Sequence, residues 1–205
     1  MLPEMNDRNV DIEDVARKAL KDAALLAELL DGLKSKKETL RYNCSKVLTL
    51  ISEESGEVLY PRWDYFVGLL SRDNTYWKIS ALLIIANLTR VDTENRFEKM
   101  FDKYYQLLDD RSMVTAIYAA SSSGRIVRAK PELETRITGE LLNIDQTHHR
   151  PGRKDLVKAG AIEAFREYFA SARDRDGIIR FVRQQLDSES PKTRKLAAEF
   201  LKEWG

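Results

Sequence analysis

One amphipathic pattern recurs five times along the 205 residues, and it constrains the fold more than any other feature of the chain. Each copy begins at a reference position, usually basic, and continues with apolar or small residues three, six, seven and ten positions further on. The copy that begins at Arg41 places Cys44, Val47, Leu48 and Ile51 at these offsets. Such spacing puts the four side chains on one face of an α-helix, and it predicts that this face is buried.

The reference positions are separated by 37, 36, 44 and 36 residues, which is the spacing of a repeat protein. The third copy is degenerate, because Gly124 stands at its last apolar position. The 44-residue interval holds about eight extra residues, and we expect the segment 145–154 to protrude as a loop because it contains Pro151-Gly152. The five reference positions are Arg41, Lys78, Val114, Lys158 and Arg194.

A second amphipathic segment precedes each of these helices, and a short polar turn separates the two. Trp63, Phe66, Val67 and Leu70 show its spacing of three and four residues clearly. In the first repeat this segment could extend backward through Ile12. No stretch sustains the strict alternation of a β-strand between turn signals. Four prolines lie where helices are predicted to begin, and none interrupts a helix: Pro61, Pro131, Pro151 and Pro191.

The pattern therefore predicts an all-α fold, a right-handed α-solenoid of about five helix-hairpin repeats. We expect a flexible N-terminal tail over residues 1–10 and a single domain over residues 11–205. The predicted repeat units are 11–55, 56–91, 92–130, 131–171 and 172–205.

The repeat resembles the HEAT family, whose units pair a proline in the first helix with an aspartate in the turn and a basic residue early in the second helix. Pro61, Asp73 and Lys78 carry this resemblance best, followed by Asp187 and Arg194. It covers residues 11–205 and weakens in the third repeat. Armadillo repeats are the near alternative, but they have three helices and about 42 residues per unit. The resemblance implies an armadillo-like scaffold that binds a partner, without indicating which partner.

Two observations bear on where the chain works. It has one cysteine, so no disulfide can form within the chain, and nothing points to an oxidising compartment. The longest apolar run, residues 81–86, is far shorter than the roughly 20 residues that cross a bilayer, and residues 1–10 lack the apolar stretch of a signal peptide. We therefore expect a cytoplasmic protein without a membrane partner.

Charge is segregated along the chain, although the totals of 34 Lys and Arg against 33 Asp and Glu nearly cancel. The turns and second helices together hold 20 basic and 6 acidic residues. Stacked repeats would align these cations in a basic ridge, which either pairs with acidic residues of neighbouring repeats or binds an anionic partner. The candidate binding residues are Lys36, Lys37, Arg41, Lys78, Arg111, Arg153, Lys154, Lys158, Arg194 and Lys195.

Catalytic and metal-binding patterns are not evident. The chain has no glycine-rich phosphate loop, and its only histidines, His148 and His149, are adjacent and stand among the cations Arg150, Arg153 and Lys154. Neighbouring side chains seldom converge on one ion, so we expect a solvated loop rather than a metal site. We accordingly predict no enzymatic activity, no cofactor and no metal.

Two further features are interpreted as packing. Trp63, Trp77 and Trp204 are all expected in the core. The small residues 119–124, AASSSG, either form a groove for a partner helix or allow close contact between repeats, and we favour close contact. The function that fits these observations is a non-catalytic scaffold or adaptor for protein–protein interaction. The alternative is nucleic-acid binding along the basic ridge formed by the starts of the second helices.

Overall fold

The computed structural model describes residues 3–205, and this part of the chain is helical without any β-strand. The predicted all-α class is therefore confirmed. The chain divides into two compact units, Met1–Asp92 and Thr93–Gly205. In residues 3–205, no helix has both the length and the apolar character needed to cross a membrane.

The first unit contains six α-helices. Asp22 separates the first two, because its carboxylate accepts hydrogen bonds from the backbone N–H groups of Ala24 and Leu25 and so begins a new helix. The expected backward extension of a single helix through Ile12 is therefore wrong. The helices are α1 (Ile12–Ala19), α2 (Ala23–Gly32), α3 (Glu38–Glu54), α4 (Gly56–Leu59), α5 (Trp63–Leu70) and α6 (Thr75–Leu88).

Helices α3 and α6, which contain the first two predicted apolar stripes, run parallel and side by side. The Ser45 and Ser80 hydroxyls are 2.7 Å apart, and the Asn87 amide donates to Ser52 Oγ at 2.8 Å. Both pairs join residues 35 positions apart, so a single register holds along two turns of the helices. The first helices follow the same register, since the Tyr65 hydroxyl of α5 donates to the Leu30 carbonyl of α2 at 2.6 Å.

The N-terminal segment is attached to this unit. Met5 is fully buried. The Asn43 amide on α3 donates to the carbonyls of Met5 and Asp7, at 3.0 and 2.8 Å. The expectation of a flexible tail over residues 1–10 is therefore wrong for Met5 and Asp7, because a buried polar side chain needs the hydrogen bonds that these carbonyls supply. Residues 1 and 2 of that predicted tail lie outside the described residues.

The second unit contains seven α-helices. The segment 145–154, expected as a protruding loop, is a short 3₁₀ turn over Ile144–Gln146, four connecting residues and the first turn of α11. That expectation is wrong at its C-terminal end because Pro151 occupies the first position of α11, where a missing N–H costs little. The helices are α7 (Arg96–Tyr105), α8 (Met113–Ser121), α9 (Ser123–Ala129), α10 (Glu134–Leu142), α11 (Pro151–Tyr168), α12 (Arg175–Gln184) and α13 (Pro191–Trp204).

The second helix of the degenerate third repeat is broken between α8 and α9. The Ser123 hydroxyl donates to the Ala119 carbonyl four residues earlier, and this competes with the helical hydrogen bonds at the break. Small residues then let α11 come close: a methyl group added at Gly160 would lie 2.9 Å from the Ile117 carbonyl oxygen. The run 119–124 therefore serves close packing between helices, as we favoured.

The tryptophans differ in their environments. Trp63 is buried, Trp77 is half-buried, and Trp204 is 36% exposed. The core assignment is confirmed for Trp63 and wrong for Trp204. The indole of Trp204 lies near the C-terminus of α13, where its ring contacts that of Phe169 at a centroid distance of 5.3 Å.

Candidate functional site

The cations at the starts of the second helices have different environments, and they do not act as one row. Arg41 and Arg194, the reference residues of the first and last repeats, both donate to carbonyls of the preceding turn. Arg41 Nη1 is 3.0 Å from the Ser35 carbonyl oxygen, and Arg194 Nη1 is 2.5 Å from that of Ser188, each six residues earlier. These two guanidiniums therefore stabilise the turns between the paired helices.

The fourth repeat uses its cations to fix the segment before α11. Lys158 is buried, and its ammonium is 2.7 Å from the Asp145 carboxylate. Lys154 donates to the Asp145 carbonyl oxygen at 2.6 Å. The interpretation of Lys158 as part of an exposed basic ridge is wrong, because Asp145 neutralises it inside the protein.

Ion pairs also join α11 to α13. Lys192 Nζ is 2.9 Å from Glu163, and Arg166 contacts both Glu199 and Glu203, at 3.5 and 3.2 Å. Among the predicted residues, Lys195 is 3.8 Å from Glu199 on its own helix. The charge segregation seen in the sequence therefore reflects, in this unit, pairing between neighbouring helices.

Apart from Arg194, whose guanidinium is held by turn carbonyls, three of the predicted residues remain exposed without an ion pair in residues 3–205. They are Lys36 and Lys37, directly before α3, and Arg153 in the first turn of α11. Lys78 is half-buried, Arg111 is exposed, and each makes a further contact of its own. Only the first three cations are thus fully available to a ligand.

Two exposed tyrosines of the first unit lie beside the cations Arg41 and Lys46. Tyr42 on α3 is 57% exposed and Tyr76 on α6 is 55% exposed. Arg41 lies over the Tyr76 ring at 4.5 Å, and Lys46 lies over the Tyr42 ring at 4.7 Å. We call Arg41, Tyr42, Lys46 and Tyr76 the tyrosine patch.

The position of the tyrosine patch follows from the helix pairing. The Ser45–Ser80 hydrogen bond lies one turn beyond the tyrosines and holds α3 against α6. Sequence reasoning missed the patch because it followed the buried stripe of each helix. The available signal was an aromatic residue directly after the reference Arg41, at a position off the apolar stripe.

A second cluster forms in the other unit, where Asp109, His148 and His149 meet. Asp109 ends the 3₁₀ turn after α7, and its carboxylate accepts from the His148 backbone at 2.6 Å and contacts the His148 ring nitrogen Nδ1 at 2.5 Å. The two imidazole rings stack at 4.5 Å. One donor atom from each of the three residues lies within 4.8 Å of the others.

The two histidines differ in exposure, which corrects the expectation of a solvated loop. His148 is 54% exposed, whereas His149 is buried. Burial and the neighbouring His148 lower the pKa of His149, although a hydrogen bond with the Leu108 backbone opposes that shift. Burial opposes ionisation of Asp109, but its hydrogen bonds from His148 lower the pKa of this carboxyl. The sequence concealed the cluster because Asp109 lies 39 residues before His148.

Known proteins do not extend this description, since no protein-family model and no curated protein matches the chain.

Proposed function

We propose that the chain is a HEAT-like α-solenoid that works as a non-catalytic adaptor and binds an acidic segment of a protein partner at the tyrosine patch. The observation that carries the proposal is the pair of half-exposed tyrosines, each covered by a cation, on two helices held in register. Tyrosine and arginine contribute most often to the energetic centre of protein interfaces.

The repeat architecture is supported by regular pairing inside each unit. In the first unit the bonds between α3 and α6 span 35 residues. In the second unit Asp155 of α11 contacts Ser188, just before α13, and Arg166, further along α11, contacts Glu203 near its end, so the two helices also run parallel. Parallel second helices in neighbouring repeats are what a stacked two-helix repeat produces.

Charge at the patch favours an acidic partner segment. Lys36 and Lys37 precede α3 and lack ion pairs in the described part of the chain, while Arg41 and Lys46 carry charge at the tyrosines. The guanidinium of Arg41 is held by the Ser35 carbonyl, so little rotamer freedom is lost when a partner binds. Carboxylates placed over this surface would gain several charge-assisted contacts at once.

The test is selection of binders from a displayed library of acidic peptides, followed by affinity measurement with the best peptide by fluorescence polarisation. We expect Tyr42→Ala with Tyr76→Ala to weaken binding by at least about tenfold, which corresponds to about 1.4 kcal/mol. The matched control is Leu186→Ala, which removes another exposed apolar side chain in the second unit. The proposal would be refuted if no acidic peptide is selected, or if Leu186→Ala weakens peptide affinity as much as the two tyrosine substitutions do.

Nucleic-acid binding remains a second candidate because Lys36 and Lys37 are exposed and have no ion pair within residues 3–205. If these two cations contact phosphates, affinity for a DNA duplex should fall by about 1.8 log units per log unit of salt. Their replacement by glutamate should abolish that binding without unfolding the chain, because both side chains are exposed. Lack of duplex binding at about 50 mM salt would refute this candidate.

A further inference from the structure

The Asp109, His148 and His149 cluster has the composition of a transition-metal site. Its donors come from two segments that lie far apart in sequence: the end of the 3₁₀ turn after α7 and the connection before α11. Two imidazoles and a carboxylate are the donors that Zn²⁺ and related divalent ions take when some coordination positions stay open.

An unsatisfied buried atom points to a missing ligand. His149 Nε2 is buried without a hydrogen-bond partner in the described structure. Since the Leu108 backbone hydrogen-bonds the same ring, Nδ1 is the nitrogen that it holds, and Nε2 is left with its lone pair available. Metal-bound histidines commonly have their second ring nitrogen fixed in this way by a backbone carbonyl.

From this geometry we infer that Asp109, His148 and His149 bind one divalent transition-metal ion of the Zn²⁺ type, each residue supplying one donor atom. The remaining coordination positions stay open to water. This inference concerns the unit Thr93–Gly205 and does not depend on the tyrosine patch, which belongs to the other unit.

The cluster must rearrange slightly around the ion, with Asp109 and His148 moving apart and the widest separation between donor atoms becoming shorter. Ligand distances of about 2.0–2.2 Å place neighbouring donor atoms roughly 3–3.5 Å apart, compared with 2.5 Å between Asp109 and His148 and at most 4.8 Å across the cluster. Asp109 and His148 are half-exposed and can make these movements, while the buried His149 fixes the position of the site. The ion would lie between the Asp109 carboxylate and His148 Nδ1, and a proton on that nitrogen would pass to solvent.

Local charge is compatible with a cation. The carboxylate of Asp109 contributes one negative charge in direct contact with His148. The positive charge of Arg153 lowers the pKa of His149, but the negative charge of Asp109 raises that pKa by more. The ammonium of Lys154 donates to the Asp145 carbonyl, and Lys154 does not contribute to the shift in the pKa of His149.

The experiment is titration of the untagged, chelator-treated chain with Co²⁺, whose visible absorption reports nitrogen and oxygen coordination, followed by competition with Zn²⁺. The chain suits this test because it has only two histidines and one cysteine, and Cys44 is buried. We expect one ion per chain. At a free Zn²⁺ concentration near a hundred times the Kd, the melting temperature should rise by about 5–10 °C.

Substitutions then identify the ligands. His148→Ala should abolish the Co²⁺ spectrum, and Asp109→Asn should weaken the affinity by at least about tenfold. The control Glu132→Gln, an exposed carboxylate outside the cluster, should leave the affinity unchanged. Both cluster substitutions are at half-exposed side chains, so the folded state is checked by circular dichroism in chelator.

Three results would overturn the inference. The first is the absence of stoichiometric Co²⁺ or Zn²⁺ uptake by the wild-type chain. The second is an unchanged spectrum after His148→Ala. The third is equal affinity in Asp109→Asn and Glu132→Gln. If His148→Ala does not fold, the wild-type stoichiometry and the Asp109→Asn affinity decide the question on their own.

Discussion

Replacing Gly160 by alanine tests the close approach of α8 and α11 more directly than any larger change. Gly160 lies within α11, where the added methyl group would lie 2.9 Å from the Ile117 carbonyl oxygen and 3.3 Å from the Ala120 side chain. An ordinary contact of this kind is 3.4 Å or longer. The methyl group therefore fits only if the backbone of one helix moves.

Two opposing effects set the size of the change. Alanine is preferred over glycine in a helix interior by about 1 kcal/mol, whereas forcing an extra carbon into a close-packed contact costs about 1–3 kcal/mol. For Gly160→Ala the free energy of unfolding should therefore change by between about 0 and −2 kcal/mol. Gly139 in α10 is the matched control, because no atom lies within 4 Å of the methyl group that would be added there.

Gly139→Ala should raise the free energy of unfolding by up to about 1 kcal/mol, since only the helix preference acts. The two variants should therefore differ by about 1–3 kcal/mol in urea unfolding followed by circular dichroism. Both glycines belong to the unit Thr93–Gly205. The unfolding transition of that unit therefore reports the stability change of either variant. Equal stabilisation by the two substitutions would show that α8 and α11 do not approach closely at Gly160, and would refute the packing argument.

Two further predictions concern buried polar groups. Burial raises the pKa of the Cys44 thiol to about 11, so a disulfide reagent at pH 8 should react with the native chain more than about 100-fold more slowly than with the urea-unfolded chain. Comparable rates would mean that Cys44 is accessible. Glu98→Ala should cost about 2–3 kcal/mol in urea unfolding because Lys130 is only 5% exposed, whereas Asp102→Ala, which breaks a solvent-exposed pair, should cost less than about 1 kcal/mol. Equal losses would contradict the burial of Lys130.

The apolar stripes could be predicted because they depend only on the period of one helix. The stripe from Arg41 is buried at all four positions, and so is the stripe from Lys78, with Ala81, Ile84, Ile85 and Leu88. A helix turns by the same angle at every residue, so spacing alone identifies the buried face. The pattern also predicted close packing at the small residues 119–124, because small side chains allow backbones to approach.

The contacts between repeats could not be predicted in the same way. Which turn faces which depends on the register of neighbouring helices, and the period of 36 or 37 residues fixes that register only within several residues. Asp109 therefore meets His148 across 39 residues, whereas Ser45 meets Ser80 across 35. The extra residues before α11 make the register harder to predict, because some of them form a 3₁₀ turn and others form the first turn of α11.

The cations at the helix starts show why residue counts overestimate a binding surface. A cation at a helix N-terminus opposes the helix dipole, so we expected compensation by acidic residues of neighbouring repeats or by an anionic partner. In Arg41 and Arg194 the guanidinium instead donates to a turn carbonyl just before the helix, so one side chain satisfies an acceptor of that turn. The charge of Lys158 is compensated by pairing with Asp145. In the unit Met1–Asp92, the charge left for a partner is therefore local, at the start of α3 and beside the tyrosine patch.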